Sequence, residues 1–320
     1  MSRFPMQRYP DGWFQVAYSS ELEPGGVMPL FYFGHALVLY RTDAGEPKLL
    51  DAHCPHLGAH LGYGGKVNGD CITCPFHAWR FDGAGACVEV PYAKKIPPNA
   101  RLRGWPLAEK NGMIMAWYHA LGAPPAWEVP ALPEFGHADW TPYETVSWKI
   151  RTHNQEMAEN SCDSAHFRYL HGTQEMPTSH AETREHVLHT HSDTMMMTPR
   201  GKAAGAIDVH AYGFGFTTTR FAGIVDTLLV SSATTIDEDQ VHLRFAFTVK
   251  KLAHQNVTST VGAAFRAEVT RQLEQDIPIW ENKIYVNPPL LVDGDGPIGL
   301  FRRWARQFYS EPPPSVAAAE

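Results

Sequence analysis

The sequence predicts an α+β protein: an all-β N-terminal region, then an antiparallel sheet wrapping a long C-terminal helix. Three observations carry that prediction. Short runs of strand formers alternate with glycine-rich turns over about 13–119. Long β segments then occupy roughly 205–250. The stretch over about 257–280 repeats apolar residues every four positions, at Val261, Phe265, Val269 and Leu273, as a helix with one buried face does.

In the first region Leu37-Val38-Leu39-Tyr40 and Ile114-Met115-Ala116-Trp117 read as strands, and Asn111-Gly112 as a hairpin turn before the second. Gly62, Gly64, Gly65, Gly69, Gly83 and Gly85 crowd the space between, and helical periodicity is absent. These features define a domain over 1–119. Residues 120–142 hold Pro124, Pro125, Pro130, Pro133 and Pro142 and read as an extended linker. A second domain spans 143–311. Its 153–170 stretch reads as helical, and 209–221, 226–236 and 241–251 as β segments, with Asp237-Glu238-Asp239-Gln240 turning between the last two. The long helix closes the α+β arrangement. Residues 312–320, opening on Pro312-Pro313-Pro314, read as a disordered tail.

With 320 residues, 44% apolar and 12% aromatic, the chain can bury a sizeable core in one large or two ordinary domains. A net charge of −7 argues against a nucleic-acid backbone or an anionic membrane as partner. The first residues carry polar side chains, Pro5 and Pro10 where a signal peptide needs an apolar run. No stretch approaches the roughly 18 apolar residues of a membrane span. A cytoplasmic protein is the expectation. Five cysteines, Cys54, Cys71, Cys74, Cys87 and Cys162, are too few and odd in number for a disulfide framework. Seventeen histidines prompt a search for metal ligands.

Spacing separates the exceptional histidines from the ordinary ones. Cys54-Pro55-His56 and Cys74-Pro75-Phe76-His77 each offer one thiolate and one imidazole. Two such loops suit a [2Fe–2S] centre in which one iron takes both thiolates and the other both neutral imidazoles. Imidazole donates less charge than thiolate, so the His-ligated iron is easier to reduce and the potential rises. Neighbouring glycines let the backbone approach the cluster sulfides. The alternative is structural zinc, but zinc fingers pair Cys with Cys and His with His, whereas each loop here is mixed. His53 and His60 read as plain loop residues.

Further along, Asn160, Asp163 and His166 step by three and share one face of a helix. His171 lies too far round an ideal helix to sit beside His166 unless the helix ends or distorts, and Gly172 suits a C-cap there. Asp276 falls on the apolar face of the long helix, between Leu273 and Trp280, where a carboxylate is costly unless paired or metal-bound. Pro278 weakens the helix beside it. Two histidines and a carboxylate make the facial triad of non-haem Fe(II) oxygenases. Taken singly, His166 and His171 could be structural, and Asp276 an exposed acid at a misjudged helix phase. Asp163 alone could be a surface or capping residue.

Residues 54–61 and 74–81 resemble the Rieske box. Respiratory-type Rieske proteins carry an extra Cys in each loop, forming a disulfide. Ala59 and Phe76 stand in those places, which points to the lower-potential type of ferredoxins and oxygenases. Ala78 departs from the glycine commoner in oxygenases. Asn160-x-x-Asp163-x-x-His166-x4-His171 and Gln275-Asp276-Ile277-Pro278-Ile279-Trp280 resemble the iron-binding segments of the oxygenase component (α subunit) of Rieske non-haem iron oxygenases. Residues 54–61, 90–97, 275–283 and 293–298 are most similar to the branch with sterol 7-desaturases and 3-ketosteroid 9α-hydroxylases, as are 301–304 and 307–309.

That resemblance implies a Rieske domain followed by a helix-grip, START-like catalytic domain. It implies a cluster on Cys54, His56, Cys74 and His77, and a mononuclear Fe(II) on His166, His171 and Asp276, with Asn160 and Asp163 in the catalytic machinery. Asp163 would bridge a cluster-ligand histidine of the neighbouring subunit to His166 or His171, which requires a ring, a homotrimer. Electrons from NAD(P)H would arrive through a separate flavin-dependent reductase, with or without a ferredoxin, since this chain has no GxGxxG fingerprint. The expected reaction uses O2 to hydroxylate or desaturate an apolar, steroid-like polycyclic substrate. A small aromatic acid or amine as substrate, and a non-catalytic electron-transfer protein, are the alternatives. Phe214, Phe216, Phe221, Phe245 and Phe247 are candidate pocket residues, or ordinary core. Arg302, Arg303 and Arg306 would either dock an acidic ferredoxin or form the solvated side of a packed helix.

Overall fold

Backbone hydrogen bonding in the first half is satisfied by short antiparallel ladders rather than by helices. The computed structural model describes residues 3–173, 176, 178–198, 201–223 and 225–310, so the expected tail over 312–320 lies outside the described residues. Strands β1 (Gly12–Tyr18), β9 (Leu107–Lys110) and β10 (Met113–Tyr118) form one three-stranded sheet, in the order β1-β10-β9. A second joins β2 (Val27–Tyr32), β3 (His35–Arg41) and β4 (Pro47–Asp51). A third, four-stranded, runs β5 (Lys66–Asn68), β6 (Cys71–Thr73), β7 (Arg80–Phe81) and β8 (Cys87–Glu89). Asn111 and Gly112 turn the β9–β10 hairpin at φ 55° and 72°, as a two-residue hairpin loop requires. The Asn111 side chain then donates to Pro130 O and accepts from Leu132 N–H, pinning the proline-rich segment that follows.

The second half is one seven-stranded antiparallel sheet and a long helix. The strands are β11 (Glu144–Ile150), β12 (Thr178–Arg184), β13 (Val187–Thr198), β14 (Gly201–Tyr212), β15 (Thr217–Ala222), β16 (Thr227–Thr235) and β17 (Val241–Val249). Their order is β11-β17-β16-β15-β14-β13-β12. Helices α1 (Asn154–Glu159) and α2 (Ala165–Tyr169) precede β12, and α3 (Gln255–Asn282) and α4 (Ile298–Ala305) follow β17. Helix α3 lays Phe265, Val269, Leu273, Ile277 and Trp280 on Leu229, Leu243, Phe245 and Phe247 of the sheet. The apolar repeat of the sequence is therefore the gripped face.

Two sequence expectations need correction. The β segment over 209–221 is interrupted, because Gly213 turns at φ 64° and Tyr212 N–H closes on Phe216 O. Gly215 there packs on β1, where an added Cβ would stand 2.1 Å from Trp13 O. The helix over 153–170 is likewise not continuous. Asp163, at φ −99° and ψ 101°, separates a 3₁₀ turn over Asn160–Cys162 from α2.

The halves share a core. Trp13, Met113, Met115 and Trp117 pack with Phe216, Leu228 and Val230. Buried Arg244 donates to Gln15 O and Val16 O, Thr234 to Gln15 O, and Phe33 and Gly34 N–H to Thr235 O and Ile236 O. Buried polar groups paired this fully fix one relative orientation.

Candidate metal centres

The two Cys–His loops repeat one geometry. In the first, Cys54 N–H donates to Ala59 O and Gly58 N–H to Cys54 O. In the second, Cys74 N–H donates to Trp79 O and Ala78 N–H to Cys74 O. The residue four past each cysteine must turn left-handed: Gly58 at φ 76°, Ala78 at φ 57°. The same fold thus places Cys54 and Cys74, both 3% exposed, side by side, and the His56 and His77 rings 4.7 Å apart. His56 is stacked at 4.8 Å on Trp79, whose Nε1–H is held by Tyr92 Oη.

This donor set fits a two-iron cluster. Burial pushes the Cys54 thiol up to about 11, and the adjacent Cys74 pushes the same way. Two thiolates in such a place call for cationic ligation. Nδ1 of His56 is buried without a hydrogen-bond partner among the described residues, an orphan that a metal bond would satisfy.

The second centre forms around the break at Asp163. Asp163 Oδ1 accepts the N–H groups of Ala165 and His166, seeding α2. His166 leaves that helix, and His171 follows its end, where Gly172 sits at φ 76°. Across the cavity, α3 presents Asp276. Among the described residues, His166, His171 and Asp276 are the one group of three ligating side chains whose atoms lie within 4.8 Å of one another. His171 Nε2 is 3.5 Å from Asp276 Oδ1.

The outer partners decide which nitrogen faces inward. His166 Nδ1 lies 2.6 Å from Asp163 O, and His171 Nδ1 lies 3.1 Å from Gln275 Oε1. Both partners only accept, so each Nδ1 carries the proton and each Nε2 lone pair is left for a metal. Asn160 Nδ2 donates to Asp276 Oδ1 at 3.2 Å, and Trp280 Nε1–H reaches Asn160 Oδ1 at 3.4 Å. Burial lowers the His166 pKa against the pull of Asp276 and Asp163, which favours the neutral ring a metal needs. For His171 burial acts the same way, but Asp276 and Gln275 outweigh it and the pKa is raised. Gln275 and Trp280 acquire these roles only through three-dimensional contacts; the sequence singled out neither as a positioning residue.

A cavity of ≈ 480 Å³ adjoins this triad under the sheet. Of the candidate phenylalanines, Phe214, Phe221 and Phe245 line it. Phe216 instead belongs to the core shared with Trp13, and Phe247 packs edge-on against Phe265. Of the C-terminal arginines, Arg302 is engaged within the chain: it pairs with Glu159 at 2.7 and 2.9 Å and lies over the Tyr285 ring. Arg303 and Arg306 are exposed.

Fold and sites together define a Rieske-type oxygenase, and comparison with known proteins agrees. Residues 12–106 match the Rieske [2Fe–2S] domain, and 116–309 match the 3-ketosteroid 9α-hydroxylase C-terminal domain. The chain belongs to the latter family, the branch of Rieske non-haem iron oxygenases that includes cholesterol 7-desaturases. A Ciona intestinalis cholesterol 7-desaturase is 32% identical over 96% of this chain and 70% of its own length. The oxygenase component of a Rhodococcus rhodochrous 3-ketosteroid-9α-monooxygenase is 31% identical over 94% and 82%. Among solved structures, Pseudomonas putida NdmB superposes with a TM-score of 0.75 at 21% identity, covering 92% of this chain and 89% of its own. Dicamba monooxygenase superposes at 0.74 and 19%, covering 93% and 97%. No helix among the described residues is long and apolar enough to cross a membrane.

Proposed function

We propose that this protein is the terminal oxygenase component of a multicomponent system that hydroxylates or desaturates a steroid-like polycyclic substrate. The carrying observation is the cavity: ≈ 480 Å³, walled by Leu188, Val209, Leu229, Leu243, Phe245 and Phe265, and ending on His166, His171 and Asp276. Its volume and apolar walls suit a fused-ring hydrocarbon. Its described lining includes no Lys or Arg, so a small aromatic acid would bury its carboxylate unpaired. Relatives named for cholesterol and 3-ketosteroids support the same reading.

In this reading Cys54, His56, Cys74 and His77 hold the cluster, and His166, His171 and Asp276 the mononuclear iron. When bound, the cluster supplies single electrons and the iron the O2 chemistry. The chain's own part is positional. Asp163 O and Gln275 fix the histidine tautomers, Asn160 orients the Asp276 carboxylate, and the apolar walls exclude water from the reacting carbon. Electrons come from a separate flavin-dependent reductase, directly or through a ferredoxin.

The assembly is a homotrimer in which Asp163 bridges to a cluster-ligand histidine of the next subunit. Its support is the exposed apolar surface at both ends of that route. Leu57, Phe76 and Tyr92 are 64%, 60% and 62% exposed near the cluster, and Tyr169, on the ligand helix, is 80% exposed. Localisation in the cytoplasm belongs to the same proposal.

Turnover over a panel of sterols, ketosteroids and small aromatic acids, with a surrogate reductase and product mass analysis, tests the substrate class. Oxygenated or dehydrogenated steroid products are expected. Turnover confined to the aromatic acids would refute the reading.

A further inference from the structure

Residues 90–106, which close the Rieske domain, carry Lys94, Lys95, Arg101 and Arg103 and no Asp or Glu. On a chain of net charge −7 this strap is a local reversal of sign. All four cations are exposed, and none pairs with a carboxylate among the described residues. Elsewhere in the domain Arg41, Lys48 and Arg80 are paired, with Glu109, Glu46 and Glu89.

The strap is held against the cluster ligands. The Tyr92 ring stands 6.4 Å from both the His56 and the His77 rings, and Cys87 N–H donates to Ala100 O, tying the later half of the strap to β8. Arg101 and Arg103 then line a groove with Phe31, His35, Asp51 and His53. His53 precedes the ligand Cys54, so groove and ligand are one Cα–Cα step apart, roughly 3.8 Å. Asp51, the one carboxylate in the described lining, accepts Trp105 Nε1–H at 2.9 Å, and the Arg103 guanidinium lies 4.1 Å over the same indole. At the Gly34 end Ile236 O accepts Gly34 N–H, and of the acids that follow it Glu238 and Asp239 pair with Arg8 and Arg3, while Asp237 caps its own turn.

We propose that this strap, centred on Arg101 and Arg103, is where the electron donor docks, and that the donor is a small acidic [2Fe–2S] protein. This rests on the oxygenase reading above and adds the entry face to it. One electron leaves the reduced donor, which is oxidised, and enters the cluster, with no bond made or broken. The exposed apolar side at Leu57 and Phe76 is the exit, covered by the next subunit in the proposed assembly. A donor needs a second face beside a ligand, and the groove at His53 is one. Unpaired cations there attract an acidic partner, orient it, and lose that pull as salt rises.

The test uses the reconstituted full-length protein, with an acidic plant-type [2Fe–2S] ferredoxin as probe. Calorimetric titration with the oxidised ferredoxin should show binding that weakens about tenfold or more between low salt and about 0.3 M. Arg101→Glu combined with Arg103→Glu should weaken low-salt binding about as much and flatten the salt dependence, and the corresponding Gln pair should fall between. Stopped-flow reduction of the cluster by reduced ferredoxin should slow in the same order. Reduction by photoreduced 5-deazariboflavin, small and uncharged, should not change. Arg303→Glu combined with Arg306→Glu, on α4, should leave every reading as in the wild type. Wild-type binding that is absent or indifferent to salt, or loss only with the α4 pair, would overturn the docking surface. So would a change of oligomeric state in the Arg101 and Arg103 variants, which would make the strap a contact between copies. A wild type that the ferredoxin reduces but that oxidises no substrate in the panel would instead refute the oxygenase reading and leave the docking surface standing.

Discussion

Ala78 occupies a backbone conformation that its counterpart, Gly58, adopts without strain. The left-handed region costs an L-residue about 1–2 kcal/mol, from its Cβ against the carbonyl. Glycine escapes that term but loses about 0.5–1 kcal/mol more backbone entropy on ordering. Ala78→Gly should therefore stabilise the second cluster loop by roughly 0.5–1 kcal/mol. Gly58→Ala should destabilise the first by a similar amount, since nothing lies within 4 Å of the added Cβ and only the backbone term changes. Local opening of these loops exposes the cluster ligands, so the readout is the rate of bleaching of the visible cluster absorbance under mild urea with a chelator. Ala78→Gly should slow bleaching about two- to fivefold and Gly58→Ala should speed it about as much. Unchanged rates in both variants would refute the idea that left-handed strain at these two positions limits cluster retention.

Three other outcomes follow from the second centre and the charges behind it. Gln275→Leu removes the acceptor that fixes His171 and should weaken mononuclear iron binding about 10–100-fold, read by metal analysis at limiting Fe(II). His166→Ala should abolish turnover and lower the iron content from about three per chain to about two, with the cluster spectrum intact. Lys283→Met should destabilise by roughly 2–3 kcal/mol at pH 8, because Glu156 is fully buried and Lys283 Nζ, 2.8 Å away, is its counter-charge. Burial already raises the Glu156 pKa against the pull of Lys283. The unfolded carboxyl ionises first as pH rises, so stability falls upward from the unfolded pKa until the folded group ionises too. Removing Lys283 raises the folded pKa further. The variant's deficit in urea unfolding should therefore grow from pH 5 to pH 8 and shrink on acidification.

Much of the site was legible because its chemistry needs rare residues at fixed spacing. The mixed Cys–His loops and the carboxylate on an apolar helix face are conspicuous in a one-dimensional pattern, and each costs free energy unless it binds something. The strand interruption at 213–216 was less visible, because Phe214 and Phe216 carry strand-like apolar character while Gly213 and Gly215 serve a turn and a close approach to β1. Phe216 and Phe247 could not be separated from the cavity phenylalanines for a related reason. Alternation gives the face of a strand, but what covers that face is settled by tertiary packing. Gln275 is a common polar residue, and only its contact with His171 gives it a role.

The break at Asp163 shows why local reading reached the ligands but not their arrangement. On one continuous helix, positions 166 and 171 point about 140° apart and cannot share an ion. The chain instead ends the first helical run at Cys162, extends through Asp163 and restarts with the Asp163 carboxylate capping the new turn. It then leaves α2 within two turns, with the N–H groups of Leu170 and His171 both closing on His166 O. That tight exit brings the two rings to 5.0 Å between centroids. One residue thus does two jobs in the same protomer: its carboxylate starts the helix, and its carbonyl, 2.6 Å from His166 Nδ1, sets the tautomer. Both variants keep the backbone carbonyl, but Asp163→Ala removes the cap that fixes its direction, whereas Asp163→Asn keeps an accepting Oδ1. If the residue acts only within its own subunit, Asp163→Asn retains turnover and Asp163→Ala loses mononuclear iron. If its charge also links the cluster of the next subunit to the iron, Asp163→Asn keeps both metals and still loses reductase-driven turnover. Metal content measured beside turnover in the two variants separates these outcomes.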